Sequence, residues 1–217
     1  MFETGLTLND LRFMGQGALI TLEVTAIAVI GGTLLGLLFG VIRSQVSPWF
    51  TLPLVFVLDL FRSVPLLIQL VLANAFQAIV GLGISAFTTS CIVLALYTSA
   101  YCTEIVRGAI AAVPGTTRRA ARSLGMTWAQ DMRQIVFPMA LRVGLPSWIG
   151  LTLGVMKDSA LVGFIGVFEL LKQSQTLITR LQEPMFILIV AGAIYFLISF
   201  PIARLGGQLE KRWREND

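Results

Sequence analysis

The residues of this chain best placed to do chemistry are charges set inside apolar sequence. Asp59 and Arg62 lie three apart within the apolar stretch 51–80, so on a helix they share one face and can meet. Lys157 and Asp158 are adjacent, so on a regular helix they point in different directions and each needs its own partner. An ionisable group at bilayer depth costs a few kcal/mol and ordinarily faces protein or water. Two readings are open for each pair. Asp59 and Arg62 either neutralise each other and shape a bundle, or Arg62 lines a solute path beside a helix break at Pro65. Lys157 and Asp158 are either a structural or gating pair, or Asp158 meets a solute ammonium whose carboxylate is held by a cation or a helix N-terminus.

Much other chemistry is excluded by residue type. The chain has no histidine, which removes H-E-x-x-H zinc sites and any Ser-His or Cys-His nucleophile. Neither a G-x-S-x-G elbow nor a G-x-x-x-x-G-K-[ST] phosphate loop occurs, so ATP binding of the P-loop kind is not expected of this chain. Cys91 and Cys102, eleven apart on one apolar span, cannot reach each other along a helix and read as small packing residues. The seven methionines form no dense cluster that would suggest a metal path.

The elements that must position these charges are membrane helices. Of 217 residues 56% are hydrophobic and 13% charged, with mean hydropathy +0.82. Runs of about 18 to 25 apolar residues suffice to cross a bilayer, and the chain divides into about five. The expected spans are 18–42, 51–80, 86–105, a fourth from about Ile135 or Leu145 to Phe168, and 184–203. The second exceeds one crossing, and Arg62 to Pro65 is the place for a break, start or tilt. Gly81-Leu82-Gly83 reads as a loop, and Gly32, Gly36 and Gly40 as a close-packing helix face. The four glycines from Gly150 to Gly166 around Lys157 and Asp158 point to a discontinuous helix. Residues 1–17 read as a polar lead, and no cleavable signal is expected, because the first apolar run is too long and has no basic flank before it. Of the 16 lysines and arginines, eleven fall on the segments that are inside if the N-terminus is outside and the C-terminus cytoplasmic. The net charge of +4 is explained by that topology without nucleic acid. Trp49, Trp128, Trp148 and Trp213 are expected near inner boundaries. Glu104 and Arg107 are expected to pair at the inner end of the third span. Residues 203–217 form a basic tail suited to lipid. One domain, 1–217, is expected.

The longest polar stretch, 111–134, is an inner loop. In it Arg119-Ala120-Ala121-Arg122-Ser123-Leu124-Gly125 is followed by nine residues and then Ile135-Val136-Phe137-Pro138. Thr116 or Thr117 is expected to cap a short helix, the alanines to permit close approach, and Gly125 to end it in a left-handed turn. The segment resembles the E-A-A-x-x-x-G…I-x-L-P signature of importer permeases at five of its seven fixed positions, with Arg119 in place of glutamate and Phe137 in place of leucine. Phe61-Arg62-Ser63-Val64-Pro65-Leu66-Leu67-Ile68-Gln69 is similar to the F-R-G-T-P-L-L-x-Q segment of polar amino-acid permeases. Ala100 to Gly108 is similar to their A-Y-x-x-E-I-x-R-G, and Lys157-Asp158-Ser159-Ala160-Leu161 with Ile165 to Leu171 to their K-D-T-S-L and I-G-V-x-E-L-L.

That resemblance to the permease subunits of bacterial polar amino-acid ABC importers (the histidine, glutamine and arginine type) extends over nearly the whole chain. It implies an all-α, type I importer permease fold and a place in the bacterial inner membrane. It implies a second permease subunit, identical or related, two ATPase subunits carrying ATP and Mg²⁺, and an extracytoplasmic solute-binding protein. No cofactor is expected on this chain, nor any catalytic or metal residue. The ATPase-coupling residues would be Arg118, Arg119, Ala120, Ala121, Arg122, Leu124, Gly125 and Pro138. The solute path would hold Arg62, Pro65, Gln69, Lys157, Asp158 and Ser159. Among solutes, opines and other amino-acid-like compounds are alternatives, and a secondary transporter, a channel or a membrane scaffold are the readings from other classes.

Overall fold

The computed structural model describes residues 5–214, all of which lie in helices or short connections, with no strand among them. Helix α1 spans Leu8–Gln45. It starts well before the apolar run because Thr7 and Asp10 close a capping box: the Asp10 carboxylate accepts from the Thr7 N–H at 2.9 Å, and the Thr7 hydroxyl oxygen accepts from the Asp10 N–H at 3.4 Å. The expected polar lead therefore holds only as far as Thr7, since capping and not apolarity sets where this helix begins.

Helices α2 (Pro48–Ser63) and α3 (Leu66–Val80) meet at a 107° bend, as the proline at 65 and the surplus length predict. The bend frees carbonyls that lipid cannot satisfy. The Gln69 amide donates to Phe61 O at 2.8 Å and Val64 O at 2.7 Å, and the Tyr101 hydroxyl donates to Arg62 O at 3.4 Å. Gly81, at φ +72°, ends α3. Helix α4 (Ala86–Ala111) runs parallel to α1 at very short range. A methyl group on Gly36 would sit 2.5 Å from Cys102 Cβ, and one on Gly32 2.5 Å from Thr98 Cβ. Only a side chain of hydrogen fits there.

The inner loop contains α5 (Gly115–Ser123) and the single turn α6 (Trp128–Asp131). Pro114 stands at the N-cap of α5 with no side-chain cap bond, so neither Thr116 nor Thr117 caps it; a proline-led start fixes φ before either threonine is reached. A π-helical turn, Met132–Val136, leads into α7 (Phe137–Asp158). Pro138 cannot donate to Gln134 O, and widening the turn before it accommodates that loss. The column continues as a 3₁₀ helix, Ser159–Ile165, closed by Gly166 at φ +97°. The fourth span is thus helical from Trp128 to Ile165, and the expected discontinuity is a tightening of the winding and not a gap.

Helix α8 (Leu170–Leu181) places Leu170 and Leu177 against Met14 of α1 and Ile187 of α9 (Pro184–Arg214). Helix α9 runs past Ala203 into the charged tail as far as Arg214, and the remaining tail positions lie outside the described residues. Four columns, α1, α4, Trp128–Ile165 and α9, are long and apolar enough to cross a membrane, and α2–α3 counts as a fifth if the bent pair is one span. A central core joins Val24, Leu70, Leu94, Val155 and Val162. Trp148 packs against that core and donates its indole N–H to the Thr33 hydroxyl at 2.8 Å, so it lies within the bundle and not at its inner edge.

Candidate functional site

At the α5 end of the bundle, the helix is polar nearly all round and buries one side chain, Ala121. Its end is a Schellman turn: Gly125 at φ +81°, with Gly125 N–H donating to Arg122 O at 3.0 Å and Met126 N–H to Ala121 O at 3.2 Å. The turn leaves Leu124 85% exposed beside exposed Arg119 and Arg122. Arg118 faces the other way and donates from Nε to Asp131 at 3.1 Å. Ala120 and Pro138 are exposed. Of the expected coupling residues, the outward set at α5 is therefore Arg119, Ala120, Arg122 and Leu124, with Pro138 exposed at the start of α7, while Ala121, Gly125 and Arg118 hold them in place.

A second cluster brings α1, α2 and α4 together. The Glu104 carboxylate pairs with Arg43, with Arg107 at 2.9 Å and with Arg62 at 3.6 Å, and Arg62 also reaches Asp59 at 3.4 Å. The Glu104–Arg107 pair is the one its spacing predicts. Arg43, 61 residues from Glu104, carries no sequence signal for the contact. The Arg62 guanidinium lies 5.7 Å from the Tyr101 ring centroid, and the Tyr97 and Tyr101 rings are 4.8 Å apart.

Lys157, Asp158 and Ser159 stand where α7 tightens into the 3₁₀ turn. Lys157 is exposed, Asp158 half-buried, and no described residue forms an ion pair or hydrogen bond with either side chain. Asp158 is within electrostatic reach of Tyr97. Ser159 is buried, its hydroxyl donating to Met156 O at 2.7 Å. Among the expected solute-path residues, Pro65 leads α3, whose Leu66 and Leu70 pack in the core with Val155 and Val162, so the α2–α3 bend and the 3₁₀ turn are neighbours. Arg62 belongs to the Glu104 cluster, and the Gln69 Nε2 donates both its hydrogen bonds to the bend while its Oε1 is buried without a partner.

Two acids for which the sequence suggested no role lie nearby. Glu23, alone among the apolar residues of α1, lines a cleft of about 590 Å³ with Gln16, Phe87, Phe168 and Gln173. The rule applied to Asp158, that a charge at bilayer depth needs an explanation, would have found it. Glu169 is fully buried and caps α8, accepting from the Leu171 and Lys172 N–H groups at 2.7 Å each and from the Tyr195 hydroxyl at 3.1 Å. Burial raises its pKa above the ordinary value, against the lowering effect of those donors. An acid followed by Leu170, Ser174, Leu177 and Leu181 at helical spacing was the available signal for α8.

Residues 32–215 match the family model described as "Binding-protein-dependent transport system inner membrane component". The chain is 30% identical over 213 residues to the probable amino-acid ABC transporter permease protein YckA of Bacillus subtilis (strain 168), covering 98% of this chain and 94% of that one. It is 26% identical to the arginine transport system permease protein ArtQ of the same organism, over 97% of each. The solved structure titled "Crystal structure of an amino acid ABC transporter with histidines" superposes with a TM-score of 0.85 at 32% identity, covering 93% of this chain and 94% of that one. This chain, a close-packed helical bundle with an exposed polar knob, matched along nearly its full length by such subunits, belongs to the family of inner-membrane components of binding-protein-dependent transport systems.

Proposed function

We propose that this chain carries a polar amino acid, or a derivative of one, across the bacterial inner membrane as the permease subunit of an ABC importer, with the N-terminus outside and the C-terminus in the cytoplasm. The chain is an integral membrane permease, and its family implies ATPase and solute-binding partners. The finer assembly proposed is a permease pair, identical or related, with two ATPase subunits and one binding protein. ATP and Mg²⁺ belong to the ATPase subunits, and no nucleic acid is involved. Kinship with permease subunits along the whole chain gives the secondary-transporter and channel readings no support.

The observation that carries the reading is one continuous helical column, Trp128–Ile165, with an exposed cationic knob at its foot and an unpaired Lys157–Asp158 step near its head. Its most apolar stretch is only 11% buried within the chain, so lipid alone would have to cover a face that carries charge. A second permease subunit and a solute-filled cavity supply better cover. In this reading Arg62, Pro65, Gln69, Lys157, Asp158 and Ser159 border the path, and Asp158 faces the solute ammonium. Arg119, Arg122 and Leu124 meet the ATPase, and Arg119, a cation where the family carries glutamate, faces an acid on the ATPase or on the neighbouring loop.

The test is uptake into proteoliposomes holding the permease with its ATPase and binding protein, using labelled arginine, glutamine and glutamate. ATP-dependent accumulation of at least one is expected. Asp158→Asn keeps the shape and removes the charge, and should lower uptake by about ten- to a hundredfold while capture by the binding protein is unchanged, in line with a charge-assisted bond of about 1.5 to 3 kcal/mol. Normal assembly with wild-type uptake would remove Asp158 from the path.

A further inference from the structure

The attachment of α5 to the rest of the molecule is narrow. One of its side chains, Ala121, is buried, its main packing partner is the single turn α6, and both of its ends turn sharply, at Pro114 and at Gly125. Across that gap runs one ion pair. Arg118, 21% exposed, donates from Nε to Asp131 Oδ2 at 3.1 Å, and Asp131 is fully buried with its Oδ1 unpartnered. Asp131 closes α6, and the next residue begins the π turn that feeds α7. The pair therefore ties the knob to the root of the column that bears Lys157 and Asp158.

Stability does not explain such a pair. Well-packed apolar side chains in place of a buried ion pair are often neutral or stabilising, whereas a directional bond fixes orientation. The unpartnered Oδ1 means that one charge-assisted bond, with no second anchor, holds the register between α5 and α6.

We infer that Arg118 and Asp131 are positioning residues for transport: their bond makes α5 and the Trp128–Ile165 column move as one body, so that displacement of the knob by the ATPase reaches the Lys157–Asp158 step. The inference rests on the reading that α5 is the surface the ATPase meets. Without the bond, α5 swivels between Pro114 and Gly125, and hydrolysis proceeds with less movement of α7.

The test measures amino acid transported per ATP hydrolysed in proteoliposomes holding the full importer, with the labelled arginine, glutamine and glutamate used above. The double variant Arg118→Met with Asp131→Leu removes the bond and leaves no buried charge. It should keep its ATPase subunits through size-exclusion chromatography, yet its transport per ATP should fall about tenfold. Arg118→Gln puts an amide N–H at the position of the arginine Nε and should keep more than half of the wild-type ratio, whereas Arg118→Met alone should not. A double variant with the wild-type ratio, or one whose yield, hydrolysis and uptake fall together at constant ratio, would overturn the inference. If the double variant does not assemble, equal ratios for Arg118→Gln and Arg118→Met overturn it. Leu124→Asp, on the outward face, separates this failure from failure of the docking reading: retention of the ATPase by that variant shows that α5 is not the docking surface, while its loss together with a wild-type ratio in the double variant shows that α5 docks but the tie is idle.

Discussion

The α1–α4 seam and the Trp128–Ile165 column cross the same bilayer but are built on opposite plans. Along the seam, glycines of α1 sit so close to α4 that a methyl group on Gly32, Gly36 or Gly40 would lie within 2.6 Å of a facing side chain. Along the column, a methyl group on Gly150 or Gly154 meets nothing within 4 Å, and Lys157 is exposed. The same residue type thus does two jobs. In the seam glycine is the only side chain that fits, and in the column it leaves open a face that other molecules must cover. The contrast separates a frame closed within one chain from a face that the chain itself leaves open.

The comparison is broken most severely by overfilling the seam. Gly36→Val is expected to force α1 from α4 at a cost of about 3 kcal/mol or more, seen as loss of folded protein in detergent melting and size-exclusion yield. A variant that melts with the wild type would mean that the seam is looser than its geometry.

A smaller effect is expected at Glu169, where frame meets column: a methyl group on Gly163 of the 3₁₀ turn would lie 2.9 Å from its carboxylate oxygen. Glu169→Ala removes the α8 cap and leaves the Tyr195 hydroxyl without its acceptor, and should cost about 2 to 3 kcal/mol. The pH dependence has a definite sign. Because burial raises this carboxyl above its ordinary 4.5, the folded state holds the proton more tightly than the unfolded chain, so stability from this group falls as pH rises above 4.5 toward the folded pKa. Thermal melts of Glu169→Gln should lose that slope. An unchanged slope would place the titration elsewhere.

The smallest effect sharpens the contrast most. Gly154→Ala should leave the isolated chain as stable as before, or firmer by about 0.5 to 1 kcal/mol, since only backbone freedom is lost. Within the assembled importer the same methyl group should reduce uptake if a second subunit or solute covers that face. Unaltered uptake would mean that lipid covers Gly154.

Legibility in the sequence followed the range of the interaction. Apolar runs marked every span, and Pro65 and Gly125 marked a bend and a left-handed turn, because each acts through its own backbone or that of near neighbours. The coupling segment was legible as a unit, but the opposite aspects of Arg118 and Arg119, adjacent in the chain, were not. Helix starts differed where a capping box overrode hydropathy, as at Thr7, and where a proline-led start preceded the threonines expected to cap, as at Pro114. The cap at Glu169 is itself local and was overlooked because α8 lies between two much stronger apolar signals.

By itself the sequence determined that the chain is a bundle of membrane helices, where its second span bends and which loop is an exposed polar knob, because solvent preference and backbone restriction are properties of short segments. Tertiary structure alone decided that Glu104 joins arginines from α1 and α2, that Asp10 pairs with Arg180 across 170 residues, and that Asp131 is sealed against Arg118. Those are choices of partner. A charge that must leave water announces only that it needs one, and which one it finds is set by how the helices pack.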